Sequence, residues 1–217
     1  MTLGLMPDRA LLNDANPHLV NFYRWLKQGL QIDIPMANEE ALFYRHRQRF
    51  NELLQSNKGH TREAAALFYY LNRTGFNGLC RFNQQGEFNV PFGRYKKINY
   101  TRDFSPYRAV FAAWEITSLD IEAVALAPDD FVYADPPYDV EFTSYSQAGF
   151  SWDDQERTAA CLARHPGPVI LVNQATRRVE KLYRQLRFKV KFLDAPRRIS
   201  CTGDRTPARE IIAIRNL

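Results

Sequence analysis

Apolar residues along the chain fall into two kinds of segment: short continuous runs, and longer stretches in which they recur at helical spacing. Short apolar runs bounded by turn residues are typical of strands, whereas apolar positions three or four residues apart predict helices. Strands are predicted over residues 9–14, 115–118, 131–134, 168–173, 187–193 and 210–215. Helices are predicted to follow Asn16, Asn38, Thr61, Ser105, Ser151 and Thr176. Strands that alternate with helices predict an α/β fold.

The helix starts carry recognisable sequence patterns. Asn16 precedes Pro17, which combines a side-chain cap with the residue favoured at the first helical position. Asn38, which is followed by two glutamates, and Thr61 predict two further helices. These two helices make residues 37–75 a predicted helical insertion.

The stretch 131–138 reads Phe-Val-Tyr-Ala-Asp-Pro-Pro-Tyr, an apolar run followed at once by Asp135, two prolines and Tyr138. Such an apolar run is typical of a parallel strand that is buried on both faces. The prolines end the strand because neither has a backbone N–H to donate. Ligands of open α/β sheets bind beyond the carboxyl ends of strands, so residues 135–138 are the predicted functional site. The alternative is a rigid turn without a function.

The residue types in this stretch suit a site that holds a planar amine. The Asp135 carboxylate and the Pro136 carbonyl are two acceptors, which can take both hydrogens of an exocyclic NH2 group. Tyr138 offers an aromatic face on which a base can stack. Two such acceptors favour a pyramidal nitrogen, whose lone pair can attack an activated methyl group. At this point the sequence resembles the amino-methyltransferases of DNA, whose catalytic motif has this form.

Asp14 is a second candidate site residue, because it ends the strand 9–14, which is predicted to be short and buried. In nucleotide-type folds an acidic residue at the end of the second strand binds the ribose hydroxyls; the alternative is an ordinary surface acid. Such folds open with a strand and a glycine-rich turn. The 10 glycines form no Gly-x-Gly, and only residues 1–8 precede this strand. The first strand and its loop are therefore expected to be missing.

Residues 72–97 combine many asparagines, arginines and glycines with aromatic side chains. Residues 84–86, Gln-Gln-Gly, predict the turn of a hairpin. A loop with a purely structural role has little need of so many amides and guanidinium groups, whereas an element that reads bases does. Arginine pairs with guanine, asparagine pairs with adenine, and apolar side chains contact the thymine methyl group. Asn83 and Asn89 are interpreted as amides that brace the hairpin, with base reading as the alternative.

Together with residues 11–14 and 135–138, this hairpin closely resembles the Dam-like DNA adenine methyltransferases, which modify adenine in GATC. The resemblance extends over nearly the whole chain and is most specific in the hairpin. It implies a Rossmann-like, three-layer α/β methyltransferase fold that uses S-adenosylmethionine and acts on double-stranded DNA without a metal ion. Residues 1–36 and 104–217 would form the catalytic domain, without its first strand, and residues 37–103 the target-recognition insertion.

The resemblance also assigns roles to individual residues. Four are assigned to catalysis: Asp135, Pro136, Pro137 and Tyr138. Asp14 is assigned to the cofactor. Eight are assigned to DNA: Phe76, Asn77, Leu79, Arg81, Pro91, Arg94, Tyr95 and Lys96.

Among the DNA-binding residues, Arg81 is expected to read guanine, and Leu79 and Pro91 are expected to contact the outer thymine. Phe76 and Asn77 lie where the family fills the gap left by a flipped base. The last three residues of the set are expected to bind phosphates.

Composition narrows the class of protein further. The 217 residues, 45% of them hydrophobic, suit one domain, or one domain with an insertion. The net charge of +5 and the pI of about 9.1 favour a polyanionic partner. The 3 cysteines are odd in number and widely spaced, and the 4 histidines lack metal-ligand spacing, so neither a disulfide framework nor a metal site is expected. No signal-peptide pattern or membrane-spanning run is recognised, and a cytoplasmic location is expected.

Two regions have an open role. Residues 139–150 are interpreted as a loop that covers the base pocket. Arg197, Arg198, Arg205 and Arg209 flank the loop between the last two predicted strands, where phosphate binding and plain solvation are alternatives.

Two other functions stay open alongside the adenine methyltransferase. One is a DNA-binding remnant of such an enzyme that no longer catalyses, and the other is an amino-methyltransferase that acts on cytosine or RNA. The hairpin argues against the second, because its residues match those of the GATC readers. Without the first strand, we expect a poorly stable chain with weak activity, and sheet edges that can recruit another chain.

Overall fold

The computed structural model describes residues 2–139, 150–195 and 208–217. The chain forms two compact units, Met1–Leu119 and Asp120–Leu217. Both units combine helices with short strands, which confirms the predicted mixture of α and β elements. The division into a catalytic domain and a recognition insertion at 37–103 stays a prediction.

Within its described residues, the first unit contains five α-helices and two strands: α1 Thr2–Leu5, β1 Ala10–Asn13, α2 Pro17–Lys27, α3 Glu40–Gln55, α4 Arg62–Thr74, α5 Tyr107–Phe111 and β2 Trp114–Thr117. The two strands pair in parallel, with Ala10 opposite Trp114 and Asn13 opposite Thr117. A parallel pair needs a long crossover connection, and here α2 to α5 supply it.

Asn16 and Thr61 are confirmed as helix caps by their hydrogen bonds. The Asn16 side chain accepts from two backbone amides in the first turn of α2, and Pro17 occupies the first helical position. The Thr61 side chain accepts from the Ala64 amide at the start of α4, which ends before Gly75 as predicted. Each cap satisfies backbone donors that the helix itself cannot pair.

The caps predicted at Asn38 and Ser105 are wrong. The residue before α3 is Glu39 and the residue before α5 is Pro106, and neither helix has a side-chain cap. The Asn38 side chain instead donates to the Tyr95 carbonyl.

The core of the first unit lies where α2, α3 and α4 pack together. Phe43, Phe50, Tyr70 and Trp114 are among its most deeply buried side chains. Phe88, which lies in the segment 72–97, belongs to the same cluster. Complete burial of one apolar side chain of this size contributes about 1.5–3 kcal/mol, so Phe88 firmly attaches this segment to the helices.

In its described residues the second unit contains two α-helices and four strands: β3 Val132–Ala134, α6 Trp152–Arg164, β4 Val169–Gln174, α7 Arg177–Gln185, β5 Lys189–Ala195 and β6 Ala208–Arg215. The strands form one sheet in the order β3-β4-β6-β5. β3 and β4 are parallel, whereas β6 runs antiparallel to both β4 and β5. The predicted closing pair of strands is therefore confirmed.

The helices of the second unit also begin as predicted. Ser151 and Asp154 form a reciprocal capping box at the start of α6. The Thr176 side chain accepts from the Val179 amide at the start of α7. Leu162 and Val169 are fully buried in the cluster that joins the helices to the sheet. These contacts fix α6 and α7 against β4.

The predicted burial of the first and third strands is wrong. Leu11 in β1 is 39% exposed and Tyr133 in β3 is 40% exposed. Among the described strands, β1 pairs only with β2, and β3 pairs only with β4. Both are therefore edge strands, and a strand with one neighbour exposes more of its side chains than a central one.

The finer predictions about the fold remain predictions. The described strands form two sheets, one in each unit, so the single three-layer sheet with a missing first strand is not tested. No helix in the described part of the chain is both long and apolar enough to cross a membrane.

Candidate active site and candidate DNA-binding hairpin

The four predicted catalytic residues lie together at the carboxyl end of β3. The strand ends at Ala134, and Asp135 follows it directly. Pro136 and Pro137 carry the chain to Tyr138, whose side chain is 36% exposed. The motif therefore presents a carboxylate and an aromatic ring to solvent from a short, stiff segment.

Burial and nearby charge raise the pKa values of Asp135 and Tyr138, the first and last residues of the motif. Asp135 is exposed as a residue, yet desolvation of its carboxyl group, followed by the negative charge of Glu210, raises the pKa of Asp135. Burial also raises the pKa of Tyr138, and the charges of Asp135 and Glu210 raise it further. Glu210 lies in β6, opposite Gln174 of β4. The Tyr138 phenol is therefore neutral at physiological pH and offers an uncharged ring for stacking.

The backbone around Tyr138 is held by side chains that lie far along the chain. The Gln155 Nε2 donates to the Pro137 carbonyl at 2.6 Å, and the Asp139 amide donates to Asn173 Oδ1 at 2.9 Å. Gln155 belongs to α6 and Asn173 to β4, and both are buried. The loop is therefore anchored to the interior of the second unit.

The Asp139 side chain forms a second anchor. Its carboxylate accepts from Thr176 Oγ1 and from Arg178 Nε, each at 2.7 Å. The Arg178 guanidinium also lies over the Trp152 ring, 4.5 Å from its centroid. Burial alone would raise the pKa of Asp139, but the hydrogen bonds from Arg178 and Thr176 and the charge of Arg178 outweigh it and lower that pKa. Asp139 is therefore ionised at neutral pH.

Sequence reasoning missed these supporting residues. It assigned Asp139 to a loop that covers the base pocket, whereas Asp139 is 6% exposed and bound to β4 and α7. Residues 140–149 of that proposed loop lie outside the described residues, and Phe150, its last residue, is half-buried. The one available signal was Asn173, an amide within the apolar run of β4, which needs partners when it is buried. Nothing local in the sequence indicated Gln155 or Glu210.

The predicted hairpin is confirmed in the first unit. Phe82 and Phe88 form an antiparallel bridge, and Gly75 and Phe92 form another closer to the helices. The turn at 84–86 contains Gly86 with a φ of 76°, a value that favours glycine.

Asn83 and Asn89 brace this hairpin. Asn83 Oδ1 accepts from the amides of Gln85 and Glu87, which stabilises the turn. Asn89 Oδ1 accepts from Arg81 Nε at 2.7 Å, and the Asn89 carbonyl accepts from Arg81 Nη2 at 3.1 Å. These contacts are those of bracing amides, and Asn89 also orients the Arg81 guanidinium group.

The residues assigned to thymine and to the base gap adjoin one another. Phe76 and Asn77 lie in a short 3-10 turn, Phe76–Gly78, in which Asn77 has a φ of 52°. The Phe76 amide donates to the Pro91 carbonyl at 2.8 Å, which joins this turn to the returning strand of the hairpin. The Phe76 side chain is 38% exposed, Pro91 is exposed, and Leu79 is half-buried. The partly exposed ring of Phe76 thus lies at the end of the hairpin that adjoins the helices.

The residues assigned to phosphates are exposed. The Arg94 side chain is 77% exposed and forms an ion pair with Glu40 at 3.2 Å. The Tyr95 hydroxyl donates to the Gly75 carbonyl, and Lys96 is exposed. Exposed pairs of this kind contribute little to stability, so Arg94 can exchange partners at low cost.

The family is established by comparison with known proteins. The family model for the D12 class of N6 adenine-specific DNA methyltransferases matches residues 2–199. The match includes both the Asp-Pro-Pro-Tyr motif and the hairpin. The chain belongs to this family. It is an adenine-specific DNA methyltransferase.

Individual relatives agree with this family. The methyltransferase is 36% identical to the retron Ec67 DNA adenine methylase of Escherichia coli, over 94% of this chain and 75% of the relative. It is also 36% identical to a DNA adenine methylase of Vibrio cholerae, over 95% and 80% of the two chains. The Type II methyltransferase M1.LlaDCHI of Lactococcus lactis is 34% identical, over 89% and 74%.

Asp14 is the candidate cofactor residue of this methyltransferase, and it lies just after β1. Its Oδ1 accepts from the Asn16 amide at 2.7 Å, and its own amide donates to the Thr117 carbonyl at 3.3 Å. The residue is exposed. An exposed carboxylate held from one side fits the recognition of ribose hydroxyls, which need an acceptor.

The remaining candidate groups can be placed only in part. Among the described residues, no group of three or more His, Cys, Asp or Glu side chains could hold a metal ion. Arg197, Arg198 and Arg205 lie outside the described residues. Arg209 is described, and its guanidinium group lies over the Phe192 ring at 4.1 Å. Phosphate binding by these arginines stays a prediction.

Proposed function

We propose that this enzyme transfers a methyl group from S-adenosylmethionine to the exocyclic amine of adenine in GATC sequences of double-stranded DNA. The observation that carries the proposal is the geometry at the end of β3. There Asp135, Pro136 and Tyr138 are presented by a segment whose backbone is fixed from the interior. The names of its relatives and the composition of the hairpin support the choice of adenine and of GATC.

The amine has to leave the duplex before it can reach Asp135. Flipping the adenine out costs a few kcal/mol, and Tyr138 recovers part of this by stacking on the base. The Pro137 carbonyl already accepts from Gln155, so the two acceptor roles fall to the Asp135 carboxylate and the Pro136 carbonyl.

Bound S-adenosylmethionine would supply an activated methyl group. The two acceptors would hold the amine hydrogens and leave the nitrogen lone pair free to bond to that methyl group, whose bond to the sulfonium sulfur breaks with the electron pair going to sulfur. The Asp135 carboxylate is the group placed to take the proton that the nitrogen loses.

The hairpin supplies the sequence reading in this proposal. Arg81, oriented by Asn89, reads guanine, and Leu79 with Pro91 contacts the outer thymine. The exposed ring of Phe76 beside Asn77 fills the space that the flipped base leaves.

Two further sets of groups complete the proposed complex. Arg94, Tyr95 and Lys96 contact phosphates, which adds affinity without sequence preference. Asp14 holds the cofactor ribose, since its carboxylate is exposed and its position is fixed by the Asn16 amide.

The proposal is tested with purified protein, radiolabelled S-adenosylmethionine and two short duplexes. One duplex contains GATC and the other contains the same four bases in a permuted order. We expect label in the adenine of the first duplex only. Equal transfer to both duplexes would exclude the GATC preference, and label in cytosine would exclude the adenine assignment. Tight DNA binding without any transfer would indicate a DNA-binding remnant.

A further inference from the structure

Two hydrogen bonds fix the backbone on either side of Tyr138. One is accepted by the Pro137 carbonyl from Gln155, and the other is donated by the Asp139 amide to Asn173. The Pro137 carbonyl belongs to the peptide group that precedes Tyr138, and the Asp139 amide to the one that follows it. Because peptide groups are planar, holding both of them restricts the two backbone dihedrals of Tyr138 and so the direction of its side chain.

The two amides also bind each other. Asn173 Nδ2 donates to Gln155 Oε1 at 3.1 Å and to the Tyr183 hydroxyl at 3.2 Å. Asn173 Oδ1 accepts from the backbone amides of Asp139 and Gln174. A backbone N–H can only donate, so the Asn173 amide cannot be reversed without losing these bonds. Its NH2 group therefore faces Gln155, which in turn directs its own NH2 group to the catalytic loop.

Neither amide is placed to touch a base. Gln155 is 5% exposed and Asn173 is fully buried, whereas the Tyr138 ring is 36% exposed. Buried polar groups in an apolar core are costly unless every one is paired, and here the pairing ends at the backbone of the catalytic tyrosine. A side chain that has to meet a ligand in one orientation needs such support from the groups behind it.

We propose that Gln155 and Asn173, here named the amide clamp, are positioning residues that aim the Tyr138 ring at the flipped adenine. The inference rests on the proposed function, in which the adenine stacks on Tyr138. The clamp sets how strongly an extrahelical adenine is held. It acts through the loop backbone and takes no part in the chemistry.

The Asp139 side chain limits the effect of losing the clamp. Its carboxylate stays bound to Thr176 and Arg178 when either amide is replaced. A clamp variant should therefore misdirect the Tyr138 ring without releasing the whole loop. We expect a partial loss of stacking, smaller than the loss caused by Tyr138→Ala.

The experiment measures stacking without requiring methyl transfer. Two duplexes carry at the target position either an adenine opposite a mismatched base, which flips at low cost, or an abasic site. The ratio of the Kd for the abasic duplex to the Kd for the mismatched duplex is the stacking ratio. Stacking of a base on an aromatic side chain corresponds to a ratio of about five or more for the unmodified protein. Tyr138→Ala should remove the stacking part of this ratio, a fall of about fivefold or more, and leave the part that the contacts of Asp135 and Pro136 with the amine contribute.

Gln155→Met and Asn173→Leu keep the approximate side-chain volume and remove the clamp hydrogen bonds. Each should lower the stacking ratio about threefold, while the Kd for the abasic duplex stays unchanged. The matched control is Val172→Ala, which shortens a buried side chain on the opposite face of β4. It should lower the melting temperature and leave the ratio unchanged.

Gln155→Glu provides a rescue that a purely structural role would not predict. Protonated glutamate has the shape of glutamine and can donate to the Pro137 carbonyl, whereas the ionised form cannot. Buried carboxyl groups have raised pKa values, so this variant should show the normal ratio at about pH 6 and a lowered ratio at about pH 9. The unmodified protein should show no such change between these two pH values.

The possible outcomes separate the clamp from the proposed function. A ratio of one for the unmodified protein would contradict stacking on Tyr138, and the positioning role would fall with it. A normal ratio that persists in Gln155→Met and Asn173→Leu would contradict the clamp alone. Hydrogen exchange gives a check without DNA, because the Asp139 amide should exchange faster in Asn173→Leu. Unchanged protection of that amide would also overturn the proposal.

Discussion

The hairpin and the segment 135–139 differ in what holds their key side chains, Arg81 and Tyr138. Arg81 in the hairpin is oriented by Asn89, which lies only 8 residues along the chain. The backbone around Tyr138 is held by Gln155 and Asn173, whose hydrogen bonds span 18 and 34 residues. The Arg81 side chain is therefore oriented from within the hairpin, whereas the backbone around Tyr138 is held by residues distributed over the second unit.

This difference predicts which structural changes disturb Arg81 and which disturb Tyr138. The orientation of Arg81 relative to the hairpin depends on Asn89 of the same hairpin, and Phe88 attaches that hairpin to the helices of the first unit. A side chain held by distant contacts depends on the correct packing of α6, β4 and α7 against each other. The site in the second unit therefore forms only when these three elements are folded together.

The largest expected effect is a loss of methyl transfer that is not accompanied by a loss of DNA binding. Asp135→Ala should lower the rate of methyl transfer about 100-fold or more, because it removes one of the two acceptors for the amine. DNA affinity should stay largely intact, since the proposed hairpin and phosphate contacts and the stacking on Tyr138 do not involve Asp135. Methylation kinetics and gel shifts on one preparation measure both quantities. Asp129→Ala, which removes an exposed acid just before β3, should change neither. Near-normal turnover by Asp135→Ala would refute its assigned role.

A second substitution tests the contrast between distant and local support. Asn173→Leu leaves the buried amide of Asp139 without its acceptor, which costs about 1–3 kcal/mol of stability. Asn89→Ala removes a half-buried contact to Arg81 and should cost at most about 1 kcal/mol. Urea unfolding followed by hydrogen exchange in peptides from each unit compares the two. Equal losses of stability in both variants would contradict the contrast between distant support in the second unit and local support in the hairpin.

A third pair of variants divides sequence reading from phosphate binding within the first unit. Arg81→Ala should reduce discrimination at the guanine of the site by about 1–3 kcal/mol. Lys96→Ala should weaken binding to all sequences alike and lower the slope of log Kd against log salt by about one. Fluorescence titrations on GATC and permuted duplexes at several salt concentrations distinguish them. If Arg81→Ala weakened every duplex equally, the hairpin would be a phosphate clamp.

The smallest expected effect concerns pH. Burial and then the charge of Glu210 raise the pKa of Asp135, and the ionised carboxylate is the form that accepts from the amine. Methyl transfer should therefore decline on acidification at a higher pH than an ordinary aspartate would allow. Glu210→Gln removes one of the two causes, so the acid limb of the pH–rate profile should move to lower pH. Glu156→Gln, which removes an exposed charge from α6, should leave the limb in place.

The same contrast explains what the sequence could predict. The Asp-Pro-Pro-Tyr motif, the hairpin turn and the helix caps at Asn16, Thr61, Ser151 and Thr176 are contiguous patterns, and the structure has them at the expected positions. Helix caps and turns depend on neighbours within a few residues, so they can be recognised from the sequence alone. These elements were predicted almost completely.

What could not be predicted depends on residues that are distant in sequence. The apolar runs of β1 and β3 predicted burial, but position in a sheet decides how much of a strand is covered, and both are edge strands. Gln155 appeared only as a polar residue in α6, and Glu210 only as the start of a strand. Their partners are the Pro137 carbonyl and the Asp135 charge, which no local pattern indicates.

The chain of amides behind Tyr138 also constrains how the protein can vary. Every donor in it faces an acceptor, and the direction of the whole chain is fixed at one end by the Asp139 amide. A single change at Gln155 or Asn173 leaves a buried group unpaired, whereas a paired change can restore the match. Substitutions at the two positions should therefore be coupled in variant libraries: some combined substitutions should be tolerated although each one alone is not.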